Sequence, residues 1–220
     1  MVSQRRSTRR KARSTNRSRT GSTASIKAIV KKTLADTREK KHFSLQSSDV
    51  VISTTGVNFD MSPRVSQGTT VTSRIGNEIL WTAYHVRMLL KGGINMESGQ
   101  VFRIIWYTAR VNGTLLPTST SVTDFLDQDQ FIIHSDKLHK IGSNIQRAAG
   151  EDPSSGTGAF RILNFGRKFR KGALMKFDNS TGASMLTNHM RCYIVSTNTS
   201  TSLSYACSVD FIATDYYTDA

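Results

Sequence analysis

Tyr205-Ala-Cys-Ser-Val-Asp-Phe-Ile-Ala-Thr-Asp215 repeats with a period of two. Tyr205, Cys207, Val209, Phe211 and Ala213 fall on one face, and Ala206, Ser208, Asp210, Ile212 and Thr214 on the other. That period belongs to a β-strand with one apolar side. Upstream, Leu80, Tyr84, Val86, Met88 and Leu90 share a face of a second such segment. The run from Val101 to Arg110 is apolar on both faces, as a strand covered from both sides should be. The pattern predicts eight strands, at 42–54, 78–91, 101–110, 130–140, 159–166, 172–178, 189–197 and 203–215. A short helix is expected at 121–128, with Val122, Phe125 and Leu126 as its apolar face. The fold class is therefore all-β: a single eight-stranded jelly roll of two antiparallel sheets over residues 42–220. A Greek-key sandwich of another topology has the same periodicity and stays open.

The charge is distributed quite differently. Residues 1–41 hold 14 Lys/Arg against Asp36 and Glu39, a balance of +12. Residues 42–220 hold 16 Lys/Arg against 14 Asp/Glu, a balance of +2. A cationic arm is thus joined to a nearly neutral body, an arrangement suited to neutralising a polyanion. Within residues 1–21, Arg5, Arg6, Arg9, Arg10, Lys11, Arg13, Arg17 and Arg19 stand among small polar residues, with no aromatic. Such a segment buries nothing and is expected to be disordered when free. Guanidinium forks suit phosphate oxygens, so contact should follow a nucleic-acid backbone rather than a base sequence.

Residues 22–41 are expected to form a short basic amphipathic helix. Ile26, Ile29, Val30 and Leu34 line one side, Lys27, Lys31 and Lys32 an adjoining one, and Ser22 or Thr23 caps the start. A helix this short gains most of its stability from a partner.

Composition excludes several classes. No apolar run of about 18 residues exists, so no segment is expected to cross a bilayer as a helix. The Arg-rich start lacks the apolar stretch of a secretory signal, although a mitochondrial transit peptide shares its composition. A nuclear-localisation signal is also compatible with it. Cys192 and Cys207 are expected to be reduced and buried. The sequence has no Walker loop, Gly-x-Ser-x-Gly or His-Glu-x-x-His. His134 and His139 are expected on opposite faces of a strand, a poor metal pair. Asp124, Asp127 and Asp129 are expected at an exposed helix end, and the chain is not expected to be an enzyme.

Short stretches carry a likeness to a known family. They are Ser25-Ile-Lys-Ala-Ile-Val-Lys-Lys32, Glu39-Lys-Lys-His-Phe43, Gln67-Gly-Thr69, Ser73-Arg-Ile-Gly-Asn-Glu-Ile79, Phe102-Arg-Ile-Ile-Trp-Tyr107, Pro117 to Leu126, and Tyr217-Thr-Asp-Ala220. In this order they resemble the coat proteins of satellite tobacco necrosis virus and related capsid proteins of small circular single-stranded DNA viruses. The likeness runs from about residue 22 to the end and weakens across 140–200.

The resemblance implies a jelly-roll subunit, sixty of which close into an icosahedral shell with arms inward around a single-stranded RNA or DNA genome. Sixty arms would carry roughly seven hundred positive charges, the order needed for about a thousand nucleotides. The expected partners are further copies of the chain and the genome, with no membrane. The expected locations are the virion and, during assembly, the host cell, including the nucleus if the arm serves as a signal. No cofactor is required, but the resemblance implies a structural calcium ion between subunits, held by Glu39, Glu78, Asp219 and the carbonyl of Ile75. A cellular nucleic-acid-binding protein, organellar ribosomal or chromatin-like, is the rival reading. It would share the arm but should carry more basic and aromatic residues on its body than the cluster Arg161, Arg167, Lys168, Arg170 and Lys171.

Overall fold

The computed structural model describes residues 26, 28–30, 33, 39–70, 72–92, 99–111, 113–142, 160–178, 186, 190–200 and 206–220. The chain divides into two units, Met1–Arg38 and Glu39–Ala220. In the first, residues 26, 28–30 and 33 are helical, as the apolar spacing predicts. Ile26, Ile29 and Val30 are all more than half exposed within it.

The second unit has eight strands among its described residues: β1 Lys41–Ile52, β2 Val57–Asp60, β3 Glu78–Lys91, β4 Gln100–Ala109, β5 Phe131–Ile141, β6 Phe160–Lys176, β7 Met190–Ser196 and β8 Cys207–Asp219. They form two four-stranded sheets, ordered β1-β8-β3-β6 and β2-β7-β4-β5. All the pairings are antiparallel. This is the jelly-roll order, in which the first strand pairs with the last, and it answers the topology that periodicity left open.

The strand count agrees with expectation, but its make-up does not. The segments 159–166 and 172–178 are one continuous strand, β6. Its register on β3 jumps from Ala83–Lys168 to Trp81–Ala173, so Phe169–Gly172 lie opposite Thr82 alone. Gly172 takes φ 70° there, and a Cβ on it would come within 2.5 Å of the Leu80 side chain. The ring of Phe169 turns inward onto Trp81, with centroids 4.8 Å apart. Conversely, β2 has only four residues, all half-buried, and shows no period that a sequence reading can detect. The last strand starts at Cys207 and ends at Asp219, so its alternation continues past Asp215.

The core lies between the sheets. Cys207, Val209, Phe211, Ala213 and Tyr217 of β8 enter it, with Trp81, Val86, Met88 and Leu90 of β3 and Phe102, Ile104 and Trp106 of β4. A second, smaller cluster sits on the outer face of the β2-β7-β4-β5 sheet. Ile105, Tyr107, Ala109, Tyr193 and Val195 meet Leu116 and Phe131 there. Strand β4 is therefore covered on both faces, as its composition predicts.

The cover on that face is loop rather than the expected helix at 121–128. Residues 122–123 and 128–130 form turns, and Phe125 is fully exposed. The cause is Arg103. Its guanidinium pairs with Asp136 and also donates to the carbonyls of Ser121 (3.0 Å) and Asp124 (2.6 Å). A helix would need those carbonyls for its own ladder. Tyr193 Oη likewise donates to the carbonyls of Thr118 and Thr120 and pins the preceding turn. Arg74, fully buried, binds the carbonyls of Val65 and Gly76 and lies 4.5 Å over the Phe177 ring. It ties the long β2–β3 connection to the core, a role that nothing in the local sequence announces.

Candidate functional site

The arm residues Arg5, Arg6, Arg9, Arg10, Lys11, Arg13, Arg17 and Arg19 lie outside the described residues, as do Lys27, Lys31 and Lys32. What the structure locates is the start of the unit Glu39–Ala220 and the basic surface of that unit.

The four proposed calcium ligands do not converge within one subunit. Lys41 is 2% exposed, and its ammonium holds Asp219 Oδ2 at 2.7 Å and the Ser73 carbonyl at 3.0 Å, with Glu39 at 3.7 Å. The other Asp219 oxygen accepts from the Ile75 N–H at 2.9 Å, so this residue presents its amide to the carboxylate. Glu78 pairs instead with Lys176 across β3 and β6 at 3.0 Å. The cation at this corner is a lysine, joining the start of β1, the end of β8 and the 73–76 loop. A calcium ion there would have to displace Lys41 and draw further oxygens from another subunit.

Strand alternation splits the basic cluster of β6. Arg167 lies 5.6 Å over the Phe169 ring, and Arg161 reaches the Lys140 carbonyl of β5. Lys168 lies on the opposite, outer face. Register then assembles rows across that outer face. One row runs His42, Tyr216, Ala83, Lys168; the next Ser44, Thr214, His85, Gly166; the third Gln46, Ile212, Arg87, Asn164. His42, Tyr216, His85, Arg87 and Lys168 are all exposed. The carboxylates this face carries among the described residues are engaged at its two ends, Asp49 and Asp210 by Lys91 and Glu78 by Lys176.

With this geometry described, the comparisons are informative. The sequence matches the family Satellite tobacco necrosis virus coat protein over residues 8–139. The chain belongs to that family. The match spans the arm from residue 8, the helix and β1 to most of β5, and so includes the segments from Ser25 to Leu126 whose likeness was noted above, but not Tyr217–Ala220. Among solved structures, the chain is similar to a protein of Desmodium yellow mottle tymovirus, at 10% identity and TM-score 0.37, covering 82% of this chain and 86% of that one. A protein of the T13 IBDV viral particle is similar at 11% identity and TM-score 0.29, over 83% of this chain and 36% of that one. No curated protein matches it significantly.

A coat-protein role is structural, and the residues of catalytic type that the sequence offers sit in turns and on strand faces. Asp124 accepts from both the amide and the hydroxyl of Ser121, and these bonds, with Arg103 nearby, hold its carboxyl below the usual range. Asp127 accepts from the Asp129 amide in the same turn. The acidic cluster therefore consists of turn caps. The expectation for the histidines needs correction. His134 is the extra residue of a bulge opposite Trp106 and Tyr107, and the bulge reverses the parity of β5. Both rings turn toward β6: His134 borders a groove with Arg167 and Phe169, and His139 packs edge-on to Phe165. Burial, then Arg167 for one and Arg161 and Lys137 for the other, keeps both below the ordinary histidine range. Cys192 and Cys207 are buried and form no disulfide with each other.

Proposed function

We propose that this coat-family subunit closes, in sixty copies, into a small icosahedral shell and packages a single-stranded genome through an inward-facing basic arm. The observation that carries the reading is the division of charge, +12 in residues 1–41 and +2 in the remainder, on a family-matched jelly roll. Repulsion between arms opposes closure until nucleic acid neutralises it, and the contacts between shell domains supply the remaining stabilisation. Arg5, Arg6, Arg9, Arg10, Lys11, Arg13, Arg17 and Arg19 would contact phosphates, joined by Lys27, Lys31 and Lys32 on the helix. Because each contact releases counterions, packaging should weaken steeply with salt. Calcium enters this proposal only as an ion shared between subunits at the Lys41 corner.

The test is electron microscopy of the purified protein, with the 260/280 nm absorbance ratio, for the full chain and for a chain lacking residues 1–21. Uniform closed particles containing nucleic acid are expected from the first, and a folded protein without nucleic acid from the second. Small oligomers that bind nucleic acid but never close, across salt and calcium concentrations, would favour a cellular nucleic-acid-binding protein.

A further inference from the structure

The outer face of the β1-β8-β3-β6 sheet carries a combination that neither the arm nor the core explains. Tyr216 is 46% exposed in mid-sheet, and Ile212, four residues before it on the same face, is 54% exposed. His42, His85, Arg87 and Lys168 surround them from three other strands. Among the described residues, neither Arg87 nor Lys168 has a carboxylate partner.

Beside Tyr216 lies a groove of about 570 Å³, bordered by Ala83, His85, Gly166 and Lys168. Gly166 forms a flat floor, since a Cβ there would meet the Tyr84 carbonyl oxygen at 3.2 Å and the His85 ring at 3.4 Å. A second groove of about 550 Å³ continues along the face past Arg87, Leu89 and Ile162. From Ala83 to Leu89 the strand rises about 20 Å, room for a few extended nucleotides.

We infer that this face is a second nucleic-acid site, on the folded body, which takes single-stranded nucleic acid with a base stacked on Tyr216 and phosphates on Lys168 and Arg87. Exposed aromatics on a sheet, interleaved with unpaired cations, suit unpaired bases, which offer a π-face and a phosphate at each step. Charge selects this occupant over a second copy of the chain. A protein partner would need an acidic face to match, whereas a polyanion needs only the cations already present. The site differs from the arm in kind: the arm has no aromatic and reads only the backbone. This inference goes beyond the packaging proposal and does not depend on shell closure.

The experiment uses the full chain with a uridine oligonucleotide containing 4-thiouridine, irradiated and mapped by mass spectrometry. Crosslinks at Tyr216, or at His85 or Lys168 beside it, are expected in addition to any in the arm. Tyr216→Ser should remove the β8 crosslink and weaken binding several-fold, with the salt dependence unchanged. Arg87→Ser combined with Lys168→Ser should lower the slope of log affinity against log salt by about 1.4, two single-strand phosphate contacts. The map on the unaltered chain does not depend on the variants folding. Crosslinks confined to residues before Glu39 would overturn the inference. So would protection of Tyr216 from hydroxyl radicals in closed shells emptied of nucleic acid, which would make the face a contact between copies. Both crosslinks without closed particles would sink the shell proposal and leave this site standing.

Discussion

Asp215 places a carboxyl group, 1% exposed, on the inner side of β8. Its register partners are Phe43 on β1 and Tyr84 on β3. Burial raises its pKa to about 8; the Trp81 indole draws it down, and Asp60 of β2 adds to the rise. Neither Asp215 Oδ1 nor Trp81 Nε1 completes a hydrogen bond. In the unfolded chain such a carboxyl ionises near pH 3.9, so between roughly pH 4 and 8 the folded state retains a proton that the unfolded state has released. Its contribution to stability therefore falls as pH rises through that window and levels off above it. Asp215→Asn should remove this contribution to the slope. In thermal or urea unfolding, the advantage of the variant should grow from near zero at pH 4 to about 4 kcal/mol at pH 7. His134 and His139 act in the opposite sense, their contribution being lost as pH falls through about 6.5, but they are common to both proteins and cancel. Parallel pH profiles would show that Asp215 is charged in the fold.

At the scale of elements, β6 and the Lys41 corner make separate predictions. Gly172→Ala puts a Cβ where φ is 70° and Leu80 stands in the way. It should cost about 2 kcal/mol in urea unfolding, whereas Gly113→Ala, at φ 88° with open space around it, should cost about 1 kcal/mol. Equal losses would mean that Leu80 yields freely. At the corner, Lys41→Met leaves Asp219 without its cation and should destabilise the subunit by about 2–3 kcal/mol. Chelation by EDTA should leave the melting temperature of the isolated subunit unchanged, because the neutralising charge is covalently attached. A calcium-dependent rise in that temperature would show that the ion displaces Lys41 even within one subunit.

The same elements show what a sequence reading could reach. Strand β8 was legible because one face meets the core along its whole length, and β3 because the same holds from Tyr84 to Leu90; below that the extra residue Thr82 reverses the parity, so Ile79 and Trp81 face the core and Leu80, expected on that face, does not. Strand β2 is too short to repeat, and the break in β6 reads as a loop because Arg170-Lys-Gly172 resembles one. Only the compensating bulge in β3 shows that pairing resumes. The arm rests on charge counting alone, since its arginines lie outside the described residues. The outer-face cluster was not legible, because His42, His85, Lys168 and Tyr216 are far apart in the chain and meet only through register.

For the whole molecule, both apolar clusters lie in the unit Glu39–Ala220. Removing residues 1–21 should therefore leave the melting temperature unchanged, measured at equal protein concentration and without nucleic acid; a large drop would mean that the arm is part of the folded body. The pairing of β1 with β8 has a further consequence, for synthesis. Lys41 pairs with Tyr217 and Ile52 with Cys207, so the sheet holding the first strand cannot close until residues 207–217 have been made. At ordinary ribosomal speed, β1 waits roughly ten to thirty seconds for its neighbour. During that interval the most cationic part of the chain is already outside the ribosome, beside an unfinished domain and within reach of any polyanion nearby.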